Sequence, residues 1–351
     1  MRWFVFPRRV PCGTSDGMSD SPKNIDTPAI RFADRVNRIA PSPTVAISSL
    51  ALDLRAAGRD VIGLATGEPD FPTPPHVCDA AMRAIRDGHT RYTQVDGIPE
   101  LKAAIIRKFD RENGITFTPE NISVGTGGKQ VLFNALMATV QEGDEVVIPA
   151  PYWVSFAGIV EVAGGTPVYV TSGFADGLKM TADSLAAAIT PRTRWVIINS
   201  PSNPTGMGYS AAELRALAAV IRSHEQVMVI SDDLYEHLTY DGFTFHTLAA
   251  LAPDMAGRIL TLNGVSKSYC MTGWRIGFAA APAPLVRAMA KLQSQSTSCP
   301  NSIAQHAAIA ALDGPTDFIV DNNAAFARRR GRVLAALNAM EGISCPAPDG
   351  A

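Results

Sequence analysis

The sequence contains no apolar run of about 18 residues, the least that a membrane-spanning helix needs. Residues 3–6 are apolar, but that stretch is too short for the core of a secretion signal. An excess of one charge is missing too: 31 Lys and Arg face 33 Asp and Glu, giving a formal net charge of −2 with 18% charged residues. Nothing in that balance points to nucleic acid. Cysteine is scarce and unpaired in pattern. Cys12, Cys78, Cys270, Cys299 and Cys345 are odd in number, widely spaced and free of any CxxC, which argues against a disulfide framework or zinc site and for a reducing compartment. The chain therefore reads as a cytoplasmic protein with no membrane, nucleic-acid or metal partner.

What is present is chain enough, at 351 residues, for a sizeable core and two domains. Residues 1–27, rich in Pro, Ser, Gly and Asp without periodicity, read as a flexible tail, and Met18 offers an alternative start. At the other end SCPAPDGA has no terminal cap and reads as a chain cut within an element. From about residue 119, short Val- and Ile-rich runs alternate with helical patterns, which predicts parallel βαβ units. The expected strands are 122–124, 145–149, 166–170, 195–199, 227–231 and 259–263, nearly all apolar because helices cover both sheet faces. Ser210 and Glu213 form a capping box for a helix to about 224. Further helices are expected at 80–87, 100–112, 284–294 and 301–312, with a long one over 317–340 interrupted at Gly331, and an early strand at 61–65.

Lys267 stands in NGVSKSYCMTGWRIGF among small and apolar neighbours, with Arg275 further on. A buried ammonium is costly unless it is paired, neutralised or used covalently. Ligands of open α/β sheets gather beyond the carboxyl ends of the strands. Four polar groups fall at such ends: Gly127, Gly128 and Lys129 after 122–124, Asn203 after 195–199, Asp232 after 227–231, and Lys267 after 259–263. Singly, each has a plainer reading as a helix-entry turn, a turn residue, a helix cap or a rim lysine. Together they specify a ligand with a phosphate, a basic ring nitrogen, a ring hydroxyl and a carbonyl carbon. Backbone N–H groups of the Gly127–Lys129 turn and the Arg275 fork suit the phosphate. Asp232 suits the ring nitrogen, Asn203 and Tyr235 the hydroxyl, Trp153 the ring face, and Lys267 the carbonyl as a Schiff base.

The set GEPDFPTP, TRYTQVDGIPELK, GTGGKQ, PYWVSF, NSPSNPTG, SDDLYEHL and NGVSKSYCMTGWRIGF resembles class I aminotransferases that use pyridoxal 5′-phosphate, and most of all the bacterial branch containing aspartate/prephenate enzymes. The resemblance spans about residues 41–351. It implies an α/β fold of type I: a mostly parallel central sheet with helices on both faces, plus a smaller and here incomplete α/β domain. Residues 28–65 would begin that small domain, 66–315 form the large cofactor domain, and 316–351 supply a linking helix and the truncated remainder. The resemblance also implies that Lys267 anchors the cofactor and shuttles the proton, that Ser266 and Arg275 bind phosphate, and that Gly67 meets the substrate carboxylate with Trp153 and Asn203 nearby. Tyr92 would reach the phosphate of a neighbouring subunit in a homodimer with shared active sites. The activity implied is transfer of an amino group from an aspartate-like amino acid to a 2-oxo acid such as 2-oxoglutarate, within amino acid biosynthesis.

Departures from the family pattern set further expectations. Cys270 stands where a small residue is common, and Ala40 stands where prephenate-active relatives carry lysine, although Thr44 and Lys129 fit that activity. The family's arginine for the substrate α-carboxylate lies beyond Ala351, so productive substrate binding is expected to be poor. Two alternatives stay open: a carbon–sulfur lyase of the same fold, and a cofactor-binding chain with little turnover and an exposed apolar face near 30–60 and after 317.

Overall fold

The computed structural model describes residues 30–64 and 67–351, so the tail expected at 1–27 lies outside the described residues. Seven strands form one sheet: β1 Ile122–Thr126, β2 Glu145–Ala150, β3 Thr166–Thr171, β4 Thr193–Asn199, β5 Met228–Asp232, β6 Ile259–Gly264 and β7 Ile276–Ala280. Their order is β1-β7-β6-β5-β4-β2-β3. Strands β2 to β6 pair parallel, whereas β7 is antiparallel to both β6 and β1. Two reversals cancel, so β1 runs in the direction of β2 to β6. Every one of these six carboxyl ends therefore opens on a single surface, and the start of β7 opens there too.

Twelve helices accompany the sheet among the described residues: α1 Asp34–Asn37, α2 Pro43–Ala56, α3 Pro75–Arg86, α4 Pro99–Lys108, α5 Gly128–Thr139, α6 Ser155–Ala163, α7 Ala182–Ala188, α8 Ala211–Arg222, α9 Leu248–Leu251, α10 Ala283–Ser294, α11 Ser302–Asp313 and α12 Asp317–Asn338. Successive strand residues point to opposite faces, and the core divides accordingly. Val146, Ile148, Trp195, Ile197 and Ile230 pack with Leu132 and Leu136 of α5 and Phe156 of α6. Their neighbours Val147, Val196, Ile198 and Val229 pack with Leu214, Leu217 and Ile221 of α8 on the other face. Beyond β1 and β7, a third cluster joins Phe109, Val124 and Phe278 to Leu101 of α4 and Ala307 of α11. Helices cover both faces of β2, β4, β5 and β6, which is why these strands read as continuous apolar runs; β3, at the sheet edge, is buried only at Val170.

All six expected strands form, and α8 starts at its expected box, with Ser210 Oγ accepting from Glu213 N at 3.3 Å and Glu213 Oε2 accepting from Ser210 N at 2.7 Å. Several expectations are corrected. Residues 61–64 form no strand, and Ile62 and Leu64 are 82% and 89% exposed; their apolar run has no covering partner among the described residues. The helix expected from 80 begins at Pro75, where a proline's missing N–H is harmless in the first turn. The helix expected through 112 passes into a wider π turn at Phe109–Asn113. Helix α12 continues through Gly331, whose Cβ position faces open space; one glycine costs about 1 kcal/mol, too little to break a helix of 22 residues. The sequence reading missed β7 and the helices α1, α2, α6, α7 and α9. No helix among the described residues is long and apolar enough to cross a membrane.

Candidate active site

A cavity of 320 Å³ opens where the parallel strands end. Helix α5 contributes its N-terminus, with no side chain capping it, through Gly128 and Lys129. Gly127 precedes them at φ +80°, and a Cβ there would overlap the Arg275 guanidinium, so the turn needs glycine to let the arginine lie against the helix end. Arg275 reaches this surface because β7 is antiparallel and begins just after it. Its guanidinium donates to Thr272 O at 3.0 Å and Thr126 O at 3.4 Å. Ser266, buried after β6, lines the same end of the cavity.

The end of β5 supplies Asp232, 5% exposed, whose Oδ1 accepts from Leu234 N at 3.3 Å. No cation pairs with it among the described residues, and burial pushes its carboxyl up to about 7. Asn199, at the end of the neighbouring β4, donates through Nδ2 to Asp232 O at 3.1 Å and accepts from Asn203 N at 2.7 Å, fixing both loops together. Asn203 Nδ2 in turn donates to the Tyr235 hydroxyl at 3.4 Å. Burial, with the Asp232 carboxylate beside it, raises the Tyr235 phenol to about 12, so it stays a neutral donor.

Lys267, four positions after the last asparagine of β6, is half-buried. Its Nζ donates to Gly67 O at 3.0 Å and sits 5.9 Å from the centre of the Tyr235 ring. Burial lowers its pKa; Glu68 opposes this and Arg275 adds to it. Lys129 Nζ lies 5.0 Å over the Trp153 ring, its pKa likewise lowered by burial and by Arg275. Ser42, Thr44 and Val45 from the start of α2 close the wall.

The cavity thus collects Lys267, Asp232, Asn203, Tyr235, Gly67, Gly128, Lys129, Trp153, Ser266 and Arg275, with Gly127 adjoining. Tyr92 is the exception: it is 91% exposed and absent from this cavity's wall. Three contributors were missed. Asn199 reads as an ordinary strand end, although its spacing from Asn203 is a usable signal. Glu68, which accepts from Thr272 Oγ1, and Ser42 come from remote segments for which no sequence spacing gives notice.

An uncompensated buried carboxylate, an uncapped helix N-terminus backed by a guanidinium and a lysine whose pKa burial lowers suit a planar cationic ring bearing a phosphate and a reactive carbonyl. Comparison with known proteins agrees in kind. The family model for aminotransferase class I and II matches residues 59–351. The aspartate/prephenate aminotransferase of Cereibacter sphaeroides is 58% identical over 320 residues, 91% of this chain and 80% of the relative. The aspartate aminotransferase of Rhizobium meliloti (strain 1021) is 52% identical over 319 residues, 91% and 78%. Among solved structures, the aspartate aminotransferase from Rhizobium meliloti superposes with a TM-score of 0.89 at 51% identity, covering 92% of this chain and 80% of that one. The Thermus thermophilus aspartate aminotransferase with maleate gives 0.88 at 42% identity, covering 92% and 84%.

Proposed function

The chain belongs to the class I and II aminotransferases, and on that premise we propose that its cavity holds pyridoxal 5′-phosphate on Lys267 and serves an aspartate-like donor with 2-oxoglutarate as acceptor. The observation that carries the reading is the meeting of Lys267, the unpaired Asp232 and the Arg275-backed start of α5 in one cavity. When bound, the cofactor supplies an electron-accepting ring conjugated to the carbon that carries the amino group.

In this reading the N–H groups of Gly127, Gly128 and Lys129, the Ser266 hydroxyl and the Arg275 guanidinium grip the phosphate. Asp232 holds a proton on the ring nitrogen: a cation beside it reverses the effect of burial and ionises the carboxylate. Asn203 and Tyr235 orient the ring hydroxyl, and Trp153 covers one face. Displaced when the donor's amino group takes its place on the carbonyl carbon, Lys267 would be the amine that takes the proton from the donor's Cα and returns it to that carbon, across the amino nitrogen. Gly67 offers backbone to the donor's carboxylate.

Specificity follows by elimination. Among the described residues, Lys129, Lys267 and Arg275 are the cationic side chains that line the cavity. Arg275 is committed to phosphate and Lys267 to proton transfer, which leaves Lys129 Nζ for a second carboxylate. The Thermus relative was solved with maleate, a dicarboxylate, in keeping with a ligand of two carboxylates in such a cavity. The full assembly we propose is a cytoplasmic homodimer in which Tyr92 completes the partner's phosphate site. Its support is a side chain 91% exposed on a loop nevertheless held firmly, since Gln305 accepts from Ile98 N at 2.8 Å and donates to Thr93 Oγ1 at 3.0 Å. The same reading assigns residues 66–315 to the cofactor domain, supported by a sheet lying wholly within it, and 28–65 with 316–351 to a smaller one.

The test is incubation with aspartate and 2-oxoglutarate beside incubation with cysteine-type donors. Glutamate from the first and neither pyruvate nor sulfide from the second is the expected result. Sulfide or pyruvate release without glutamate would replace transamination with elimination.

A further inference from the structure

Outside the cavity lies a second polar cluster, formed by Lys108, Glu112 and Asn113 at the end of α4 and by Glu236, His237 and Asn263 behind the ends of β5 and β6. The carboxylates of Glu112 and Glu236 approach His237 closely enough to suggest a metal. The cation's place is already taken. Lys108, 1% exposed, puts its Nζ against Glu236, at 2.8 Å from Asn113 Oδ1 and 3.5 Å from Glu112 Oε2. A lysine is rarely buried this far, and burying an ion pair is seldom a net gain in stability over an apolar pair of the same size. Stability alone therefore does not explain why charge sits here.

What the pair touches does explain it. Glu236 accepts through Oε1 from Asn263 Nδ2 at 2.7 Å and through Oε2 from Asn113 Nδ2 at 2.9 Å. Asn263 Oδ1 accepts from Gly264 N at 2.7 Å, at the point where β6 turns toward Lys267. Glu236 directly follows Tyr235 and Asn263 precedes Lys267 by four residues, so one buried carboxylate bridges the two loops that carry the hydroxyl donor and the lysine. Against the upward push of burial, Lys108 and His237 keep Glu236 ionised, and an ionised acceptor makes the shorter, stronger hydrogen bond.

We propose that Glu236, held by Lys108, is a positioning residue that sets the spacing between Tyr235 and Lys267 through its hydrogen bond from Asn263. The inference rests on the assignment of Lys267 and Tyr235 to pyridoxal phosphate. Removing one partner of a buried pair risks unfolding, so the test compares two neutral double variants of the full chain. Lys108→Met with Glu236→Gln keeps an acceptor for Asn263; Lys108→Met with Glu236→Leu removes it. Thermal midpoints without cofactor and dissociation constants for pyridoxal phosphate are measured on both and on the unsubstituted chain.

The expected result is pyridoxal phosphate bound at least about tenfold more weakly by the variant lacking the acceptor than by the other, beyond what the fall in its midpoint from leaving the Asn263 amide unpaired accounts for. That variant should also lose kcat with little change in KM for the donor. Equal cofactor affinity in the two double variants would overturn the proposal and leave the pair a packing feature. A difference in midpoint that fully accounts for the difference in affinity would do the same. No binding even by the unsubstituted chain would instead remove the cofactor reading, and this inference with it.

Discussion

Asp232 shows how one residue's burial becomes both a cost and a function. Its carboxyl rises from 3.8 to about 7 on folding without a cationic partner. Between those values the folded chain binds more protons than the unfolded one. Its contribution to stability is therefore full below 3.8 and is lost as pH rises through about 7. In the cofactor-free chain, Asp232→Asn should raise the thermal midpoint above that of the unsubstituted chain by more at pH 8 than at pH 5, while weakening cofactor binding; scanning calorimetry at both values checks the first part, and an unchanged difference would mean the carboxyl is not held protonated. At Lys129 the expectation concerns the donor. Lys129→Gln should raise KM for aspartate by about 10- to 100-fold, the worth of one charged hydrogen bond, and leave donors without a second carboxylate within about twofold. Equal effects on both donor types would move the specificity determinant elsewhere. These residues were legible because each follows an apolar strand at the end where such sheets bind ligands. Glu68, Ser42 and the Lys108–Glu236 pair were not, because contacts across two hundred positions, such as Thr272 with Glu68, leave no periodic trace.

At the scale of elements, the decisive contact joins β7 to α5. A Cβ on Gly277 would overlap the backbone nitrogen of Gly128, so strand and helix N-terminus touch with nothing between them. Gly277→Ala must push the Gly127–Lys129 turn outward, away from where the phosphate is proposed to sit. The expected outcome is pyridoxal phosphate bound about tenfold or more weakly, as for loss of a charged hydrogen bond, in a chain that still folds, measured by titration and circular dichroism; unaltered affinity would count against the turn as the phosphate site. The sequence announced β1, β2 and β4 to β6 because buried strands are apolar almost throughout; β3, an edge strand exposed at Thr166, Tyr169 and Thr171, showed through its β-branched and aromatic residues. It hid β7, whose IGFAA is small and short and sits inside a motif that reads as site rather than strand. The same signal misled at 61–64: an apolar run records residue type and says nothing of what covers it.

At the scale of the whole molecule, the proposed second subunit would meet features this chain leaves uncovered. Large apolar side chains remain exposed along α2, including Val45, Ile47, Leu50 and Leu52, and Tyr92 projects from a fixed loop. If Tyr92 serves the partner's site, Tyr92→Phe and Lys267→Ala chains should each be defective alone, yet mixed and allowed to exchange they should regain activity, because half the sites of a hybrid carry neither change. No recovery in a verified hybrid would confine Tyr92 to its own subunit. The central claim is narrower: Lys267 is the covalent anchor for pyridoxal phosphate. It is tested most directly by loading the purified chain with pyridoxal phosphate, fixing the bond with borohydride and mapping the modified peptide by mass spectrometry. The pyridoxyl mark is expected on Lys267; a mark on Lys129 or another lysine instead, or none on any, would overturn the assignment.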